Sequence, residues 1–228
     1  LDRVVTSIYS TAFPSVDYLL GRGKKDGEVL VYEYVDHIDP KISVDEATSK
    51  QLYKLKDFAV KFSDFFVATS RQLEQEAINL IGENKVLYIP NGVEVEHYRL
   101  KRHQESILSE QLLRFRDHYK MIVGYFGAIA PWLWYEVLTE LIRMRDDVGF
   151  VFIGPDYQNS AARLPFAPNV LNYGAVDYQN LPGIARMFDV CMIPFSPGAI
   201  AKSTSPLKLF EYFALEKPVV VTTSMEEC

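Results

Sequence analysis

The strongest constraint on the fold is an alternation of strand and helix patterns that runs along the chain twice. Short apolar runs typical of buried strands alternate with amphipathic segments typical of helices. The alternation stops between about Val93 and Lys120, where charged residues are frequent and no strand pattern occurs. Such alternation predicts parallel sheets covered by helices on both faces.

We therefore predict an α/β protein with two doubly wound, Rossmann-like domains at 1–95 and 121–228, joined by a linker region at 96–120. Two such domains facing one another would form a cleft, because ligands bind beyond the carboxyl ends of parallel strands. Leu1 lies within an apparent strand and Cys228 directly follows another. We therefore expect both domains to be incomplete.

The individual elements follow from periodicity and capping residues. Ser43 and Glu46 have capping-box spacing, and Ser70 is a good N-cap for the next helix. One apolar helix face comprises Leu52, Leu55, Phe58, Ala59 and Phe62. The predicted strands lie at 3–9, 28–35, 64–70, 85–90, 121–127, 149–154, 169–174, 190–195 and 218–223. The predicted helices lie at 13–20, 43–63, 71–82, 106–119, 134–145, 180–188 and 206–215.

Composition excludes several classes of protein. The 228 residues are 48% hydrophobic with a net charge of −6, and no basic run is interleaved with aromatic residues, so nucleic acid is not an expected partner. Cys191 and Cys228 provide no disulfide framework, which favours a cytoplasmic location. No apolar stretch approaches the roughly 20 residues needed to span a bilayer, and no signal-peptide pattern is present.

Small residues follow several strands of the second half. Gly127-Ala128-Ile129, Gly154-Pro155 and Gly174-Ala175-Val176 are such loops, and Phe195-Ser196 follows the next strand. Small residues let a ligand approach the backbone closely. An alternative is that they only form tight turns between strands and helices.

Lys208 has an unusual position at the start of the last predicted helix. Ser205 suits the N-cap and Pro206 the first helical position, which places Lys208 in the first turn. A cation there opposes the helix dipole unless an anion is bound. Backbone N–H groups, Lys208 and Lys202 could bind a diphosphate, while the Glu211 carboxylate could accept hydrogen bonds from a ribose. The alternative is a surface ion pair between Lys208 and Glu211, worth a few tenths of a kcal/mol.

The sequence gives no sign of a metal site or a nucleophilic triad. The histidines, at 37, 97, 103 and 118, are scattered, and no Cys, His and Asp cluster has ligand spacing. No nucleophile elbow occurs either. We therefore expect chemistry that needs no metal and no cofactor.

Several segments resemble a known family. "VGYFGAIAPWLWYEVL", "FVFIGP", "PNVLNYGAV", "LPGIARMFDVCMIPF" and "SPLKLFEYFALEKPVVVTT" occur in the order found in the nucleotide-sugar-binding domain of GT-B glycosyltransferases, and are most similar to family four (group 1). Upstream, "FFVATSRQLEQEA" and "VLYIPNGVEVEHY" resemble the end of that family's first domain and its link to the second. The resemblance covers roughly residues 28–224 and implies the GT-B fold.

The resemblance also implies roles for the residues at the start of the last helix. Glu211 corresponds to the second glutamate of the family's paired-glutamate motif, which holds the donor ribose. The first glutamate, which contacts the donor sugar, falls at Ser203 and is therefore missing. The segment that meets the donor diphosphate comprises Ser203, Thr204, Ser205, Pro206 and Leu207.

Further site residues follow from the same resemblance. Gly127 and Ala128 lie near the phosphates, and Gly154, Ala175 and Val176 border the nucleobase. Many members carry an Arg and a Lys beyond the first glycine, whereas this chain has "AIAPW", and Lys208 is expected to supply that charge instead. Phe195, as a donor-binding residue, and Ser196 are further candidates for direct contact with the substrates. Asn91-Gly92 is expected to form a structural turn before the linker.

In the first domain, Asp36 and His37 follow a strand end, where family members face the acceptor and the transferred sugar. The alternatives are that Asp36 caps the next turn and that His37 is an exposed loop residue.

Together these features predict a metal-independent glycosyltransferase of glycan or polysaccharide synthesis, with Asp36, His37 and Lys208 as catalytic residues. It would move a sugar from a nucleotide-diphosphate donor to a hydroxyl of a glycan, a lipid-linked sugar or another acceptor. The resemblance to family four implies that the anomeric configuration is retained. Contact with the inner face of the membrane would involve the part of the first domain that we expect to lie outside this sequence. The alternatives are a nucleotide-sugar 2-epimerase, a non-catalytic nucleotide-sugar-binding protein and an interaction module.

Overall fold

The computed structural model describes residues 4–9, 18, 20–38, 46–99 and 109–228. The strands are β1 Val4–Tyr9, β2 Glu28–Tyr34, β3 Phe65–Ala68, β4 Val86–Tyr88, β5 Met121–Phe126, β6 Val148–Ile153, β7 Val170–Gly174, β8 Val190–Ile193 and β9 Val219–Val221. The helices are α1 Glu46–Phe62, α2 Arg71–Ile81, α3 Val95–Arg99, α4 Glu110–His118, α5 Tyr135–Met144, α6 Leu181–Ala185, α7 Ala199–Ser203 and α8 Leu207–Ala214.

The chain divides into two compact units. The first comprises Leu1–Asn91, Gly198–Ser205 and Glu227, and the second comprises Gly92–Pro197, Pro206–Glu226 and Cys228. This division differs from the predicted one at two places. Residues from the expected linker group with the second unit, and 198–205 group with the first.

The first unit contains a parallel sheet with the strand order β1-β2-β3-β4. Alternate residues of β2 are buried, and the core includes Tyr32, Tyr34 and Phe66. Helix α1 covers this core with Leu55, Phe58 and Ala59 of the predicted apolar face, while Leu52 and Phe62 are half-buried.

Capping explains where α2 begins. The Ser70 hydroxyl accepts a hydrogen bond from the Leu73 N–H at 3.2 Å, which confirms the predicted N-cap. The predicted capping residue Ser43 lies outside the described residues, as does most of the helix predicted at 13–20. Within the part of the chain that the structure describes, every helix is too short or too polar to cross a bilayer.

The second unit contains a five-stranded parallel sheet with the order β7-β6-β5-β8-β9. All six residues of the interior strand β6 are buried, as expected for a sheet covered on both faces. Strands β6 and β7 are added in turn on one side of β5, and β8 and β9 are then added on its other side. The strand order therefore reverses between β5 and β8, which is where open α/β sheets bind ligands. The predicted α/β class is confirmed.

A tyrosine from α8 connects the two strands at this reversal. Strands β5 and β8 are in register at Val123↔Val190 and Gly124↔Cys191. Further along, the Tyr212 hydroxyl accepts from the Phe126 N–H at 3.0 Å and donates to the Met192 carbonyl at 3.4 Å. Tyr212 is fully buried, and its ring meets the Phe126 ring edge-on at 4.6 Å between centroids. The hydroxyl thus satisfies one backbone group of each strand.

We expect Tyr212→Phe to lower the free energy of unfolding by about 1–3 kcal/mol, because it leaves a buried N–H and a buried carbonyl unpaired. Chemical denaturation measures the change. Tyr173→Phe in β7 is the control, since this hydroxyl bonds to no described residue and its loss should change stability by less than about 0.5 kcal/mol. Equal stability of Tyr212→Phe and the wild type would contradict the bridging role.

Candidate nucleotide-binding site

Lys208 lies at the carboxyl end of β5, beside the reversal of strand order. Its Nζ atom is 5.0 Å from the centroid of the Phe195 ring, which follows β8, and 5.7 Å from that of Tyr125 in β5. A Cβ atom on Gly127 would lie 2.9 Å from Lys208 Cε and 3.4 Å from Nζ. The structure thus brings together three residues that the sequence placed in the donor site.

The Lys208 ammonium interacts electrostatically with Glu211 and Cys228 but has no direct ionic partner among the described residues. It makes no salt bridge with any of them, so the alternative of a Lys208–Glu211 ion pair is not observed. Burial lowers the pKa of Lys208 to about 8, against the opposing effect of the nearby Glu211 carboxylate. The ammonium is therefore mostly protonated at neutral pH, half-buried and available to an anion.

The start of α8 adds to this positive region but differs from the prediction. Pro206, not Ser205, is the N-cap, and helix α8 begins at Leu207. Pro206 has an extended backbone (φ −77°, ψ 117°), and its carbonyl accepts from the Leu209 N–H at 3.0 Å. A residue before proline is held out of the helical region, which keeps Ser205 outside the helix. No described side chain caps α8, so the N–H groups of Leu207 and Lys208 lack helical partners.

The segment before Pro206 is a second correction. Ser203 is the last residue of α7 and not part of a loop, and Lys202 lies in the same helix. The buried Ser203 hydroxyl donates to the Ala199 carbonyl at 2.7 Å, a bond within the helix that a serine readily makes. The irregular segment is therefore limited to Thr204, Ser205 and Pro206.

These residues also reveal a role for Asn91 that the sequence did not predict. Its side-chain amide donates to the Ser205 carbonyl at 2.7 Å, within the first unit. Asn91 therefore does more than form the turn that its Asn-Gly dipeptide indicated.

The glycines at the carboxyl ends of β5, β6 and β7 are hydrogen-bonded to one another or to the neighbouring strand. The Gly127 N–H donates to the Ile153 carbonyl and the Gly154 N–H to the Gly174 carbonyl, both at 2.9 Å. Gly154 has a φ of +147°, and a Cβ atom there would lie 2.0 Å from the Gly127 carbonyl oxygen. Close packing of one backbone segment on another thus requires glycine at 154. For this glycine the structure supports the alternative that small residues serve the packing of the loops.

The remaining predicted donor residues also follow the carboxyl ends of the strands. Ala175 is exposed and Val176 half-buried after β7, while the Ala128 carbonyl accepts from the Tyr125 hydroxyl at 2.9 Å. The loop after β5 pairs with both neighbouring loops, through Ile129↔Asp156 and Leu133↔Phe195. Ser196 continues the second pairing, because its N–H and hydroxyl both donate to the Trp132 carbonyl, at 2.8 and 3.1 Å.

Glu211 has a partner that sequence analysis missed. Its Oε1 atom accepts a hydrogen bond from the Tyr98 hydroxyl of α3 at 2.6 Å. The two residues are 113 positions apart, so no local pattern could have connected them. Glu211 is half-buried one helical turn beyond Lys208, on nearly the same face of α8.

Asp36 and His37 lie at the carboxyl end of β2 in the first unit. Asp36 is exposed overall, yet the protein around it raises the pKa of its carboxyl by desolvation. His37 is half-buried, with Nδ1 3.8 Å from Glu76 Oε2, so it is not the freely exposed loop residue of the alternative. Glu76 is held in turn by Lys56, which also donates to the Tyr34 hydroxyl at 2.7 Å. The catalytic roles of Asp36 and His37 stay predictions.

Metal binding was not expected from the sequence. Across 4–9, 18, 20–38, 46–99 and 109–228, no three His, Cys, Asp or Glu side chains are grouped closely enough to hold a metal ion.

We expect Lys208→Met to raise the free energy of unfolding at pH 7 by about 1–3 kcal/mol, because it removes a desolvated charge. The folded-state pKa of Lys208, about 8, lies below its unfolded value, so the unfolded chain binds the extra proton between about pH 8 and 10.5. Wild-type stability should rise across that window, and the advantage of the variant should shrink.

Denaturation at several pH values measures both effects. Lys120→Met, at an exposed lysine of the same unit, is the control and should change stability by less than about 0.5 kcal/mol. A destabilised Lys208→Met variant would mean that protein groups already compensate the ammonium.

Comparison with known proteins extends these observations. No protein-family model matches the chain. TuaH of Bacillus subtilis (strain 168), named as a teichuronic acid biosynthesis glycosyltransferase, is 29% identical over 168 residues, which are 72% of this chain and 41% of TuaH. The chain therefore spans about two-fifths of the length of this curated relative.

Solved structures share the fold at low sequence identity. HepE of Anabaena in complex with UDP-glucose is 19% identical with a TM-score of 0.62, covering 96% of this chain and 60% of HepE. Sucrose-phosphate synthase from Thermosynechococcus elongatus is 18% identical with a TM-score of 0.63, covering 96% and 55%. WaaG, a glycosyltransferase involved in lipopolysaccharide biosynthesis, is 12% identical with a TM-score of 0.61, covering 95% and 64%. The chain thus has the fold of GT-B glycosyltransferases over most of its length, which confirms the predicted resemblance to GT-B proteins at the level of the fold.

Proposed function

We propose that this chain is part of a glycosyltransferase that moves a sugar from a nucleotide-diphosphate donor to a hydroxyl acceptor. The observation that carries the proposal is the Lys208 ammonium, which makes no salt bridge with a described residue and lies beside Gly127 at the reversal of strand order. An anion bound there would offset the cost of desolvating the ammonium and would occupy the position where doubly wound sheets bind ligands.

Each part of the donor has a counterpart in the second unit. The diphosphate would contact Lys208 and the uncapped N–H groups at the start of α8. The ribose would bond to Glu211, which lies one turn further along that helix. The nucleobase would contact the loops at Gly154 and 174–176, which follow β6 and β7 on the opposite side of β5 from β8.

The chemical contribution of this arrangement is electrostatic. When the bond between the sugar and the diphosphate breaks, negative charge grows on the departing phosphate oxygens. Fixed N–H dipoles and an ammonium that already face that position stabilise the charge without reorganising. Low solvation of Lys208 strengthens the effect, because less water competes with the phosphate for the ammonium.

The finer parts of the proposal rest on the resemblance to family four. These are retention of configuration, independence from metal, a role in polysaccharide synthesis and a location at the inner face of the membrane. Asp36 and His37 would contact the transferred sugar or the acceptor. The structures of HepE with UDP-glucose and of a TarM variant with UDP and α-GlcNAc-glycerol make UDP-sugars the first donors to test.

The nucleotide site is tested by a thermal-shift screen with UDP, GDP, ADP and dTDP. We expect at least one nucleotide to raise the melting temperature, and Lys208→Met to abolish that shift while Lys120→Met retains it. Radiolabelled sugar donors then separate transfer to an acceptor from epimerisation and from binding alone. A screen in which no nucleotide changes the melting temperature would contradict the proposal.

The affinity for the nucleotide should also depend on pH. Burial lowers the pKa of Lys208 to about 8 in the free protein, and a bound diphosphate should raise it. The dissociation constant should therefore increase above pH 8, by up to about tenfold per pH unit until the bound-state pKa is reached. Lys208→Arg should bind with little pH dependence, because a guanidinium stays charged throughout. Titration calorimetry between pH 7 and 9.5 tests this, and an unchanged wild-type affinity would exclude Lys208 as the phosphate contact.

A further inference from the structure

The hydrogen bond from Tyr98 to Glu211 involves the carboxylate that the proposed function assigns to the ribose. Its length is 2.6 Å, as expected for a hydroxyl that donates to a charged carboxylate. The bond uses Oε1, and Oε2 makes no hydrogen bond with any described residue. A carboxylate can accept several hydrogen bonds, so the bond to Tyr98 leaves room for further donors.

Tyr98 is itself held in place from several directions. Its ring is 1% exposed, and it meets the rings of His97 and Tyr178 edge-on at 5.0 and 6.2 Å between centroids. Its carbonyl accepts from Arg186 Nη2 at 2.7 Å, and the Arg186 carbonyl accepts from Lys217 Nζ at 2.7 Å. Lys217 follows α8, so these bonds hold α3 against the helix that carries Glu211.

The protonation of Tyr98 fixes the direction of this hydrogen bond. Burial, and then the Glu211 carboxylate, raises the pKa of Tyr98 well above its ordinary value. The hydroxyl therefore remains a donor throughout the physiological pH range. A rigid, buried donor of this kind restricts the rotation of a glutamate side chain that would otherwise populate several rotamers.

We propose that Tyr98 is a positioning residue, which orients the Glu211 carboxylate so that its free oxygen is presented to the 2′- and 3′-hydroxyls of the donor ribose. This inference rests on the proposed function. The protein would bind the nucleotide more tightly, because a carboxylate that is already oriented loses less conformational freedom when the ribose binds. The competing explanation is that the bond only stabilises the packing of α3 against α8.

The two explanations differ in how binding depends on the ribose hydroxyls. The probe is UDP, GDP or ADP, whichever shifts the melting temperature most, together with its 2′,3′-dideoxy form. In the wild type, loss of both hydroxyls should weaken binding by about tenfold or more. In Tyr98→Phe, the parent nucleotide should bind about three- to tenfold more weakly, and the penalty for the dideoxy form should fall below about threefold.

Asn169→Ala controls for loss of stability without loss of positioning. The buried Asn169 amide donates to the carbonyls of Ile142, Arg145 and Val148, near the amino ends of β6 and β7, opposite the candidate site. This variant should melt at a lower temperature yet retain the wild-type discrimination against the dideoxy form. Glu211→Gln should lose the discrimination, and adding Tyr98→Phe to it should have little further effect.

Each outcome of this experiment decides between the explanations. If Tyr98→Phe discriminates between the two nucleotides as the wild type does, the positioning role is wrong while the proposed function stands. If the wild type binds both forms equally, Glu211 does not hold the ribose, and the inference is overturned even though the phosphate site remains. If the wild type binds no nucleotide at all, both proposals fail.

Discussion

The two hydrogen bonds of the Tyr212 hydroxyl are the interaction on which the arrangement of the candidate site in the second unit depends. The hydroxyl bonds to one backbone group of β5 and one of β8, at the place where the strand order reverses. Because Tyr212 belongs to α8, the same contact fixes that helix against the carboxyl-terminal parts of β5 and β8. Lys208 lies four residues earlier on the same helix face and is thereby brought beside Gly127. Glu211, the preceding residue, accepts a hydrogen bond from Tyr98 of α3.

The site combines features that reduce stability with features that restore it. The partly desolvated ammonium of Lys208 and the uncapped start of α8 are unfavourable in the free protein. Aromatic packing around Tyr98 and the buried hydrogen bonds of Tyr212 act in the opposite direction. Residues that lower stability without a ligand are expected where a protein binds one, because the ligand then supplies the missing interaction.

The sequence allowed the fold to be predicted, since strands buried on both faces are continuous apolar runs, as in β6, and glycine loops follow them. It also singled out Lys208 and Glu211, whose proposed roles depend on spacing within one helix. The prediction failed at Ser205 because the backbone of Pro206 decides where α8 begins, and at Ser203 because a short helix continues through it. Tyr98 and Tyr212 escaped notice because their hydroxyls bond to residues 113 and 86 positions away.

The environment of Lys208 has a consequence for its chemical reactivity. An ordinary lysine is less than about 1% unprotonated at pH 8, whereas an amine whose pKa is about 8 is half unprotonated there. The unprotonated amine is the nucleophile, so this side chain is a better target for acylating reagents than the exposed lysines of the same chain. The residue proposed to bind phosphate as a cation would thus also be an attachment point for a covalent inhibitor.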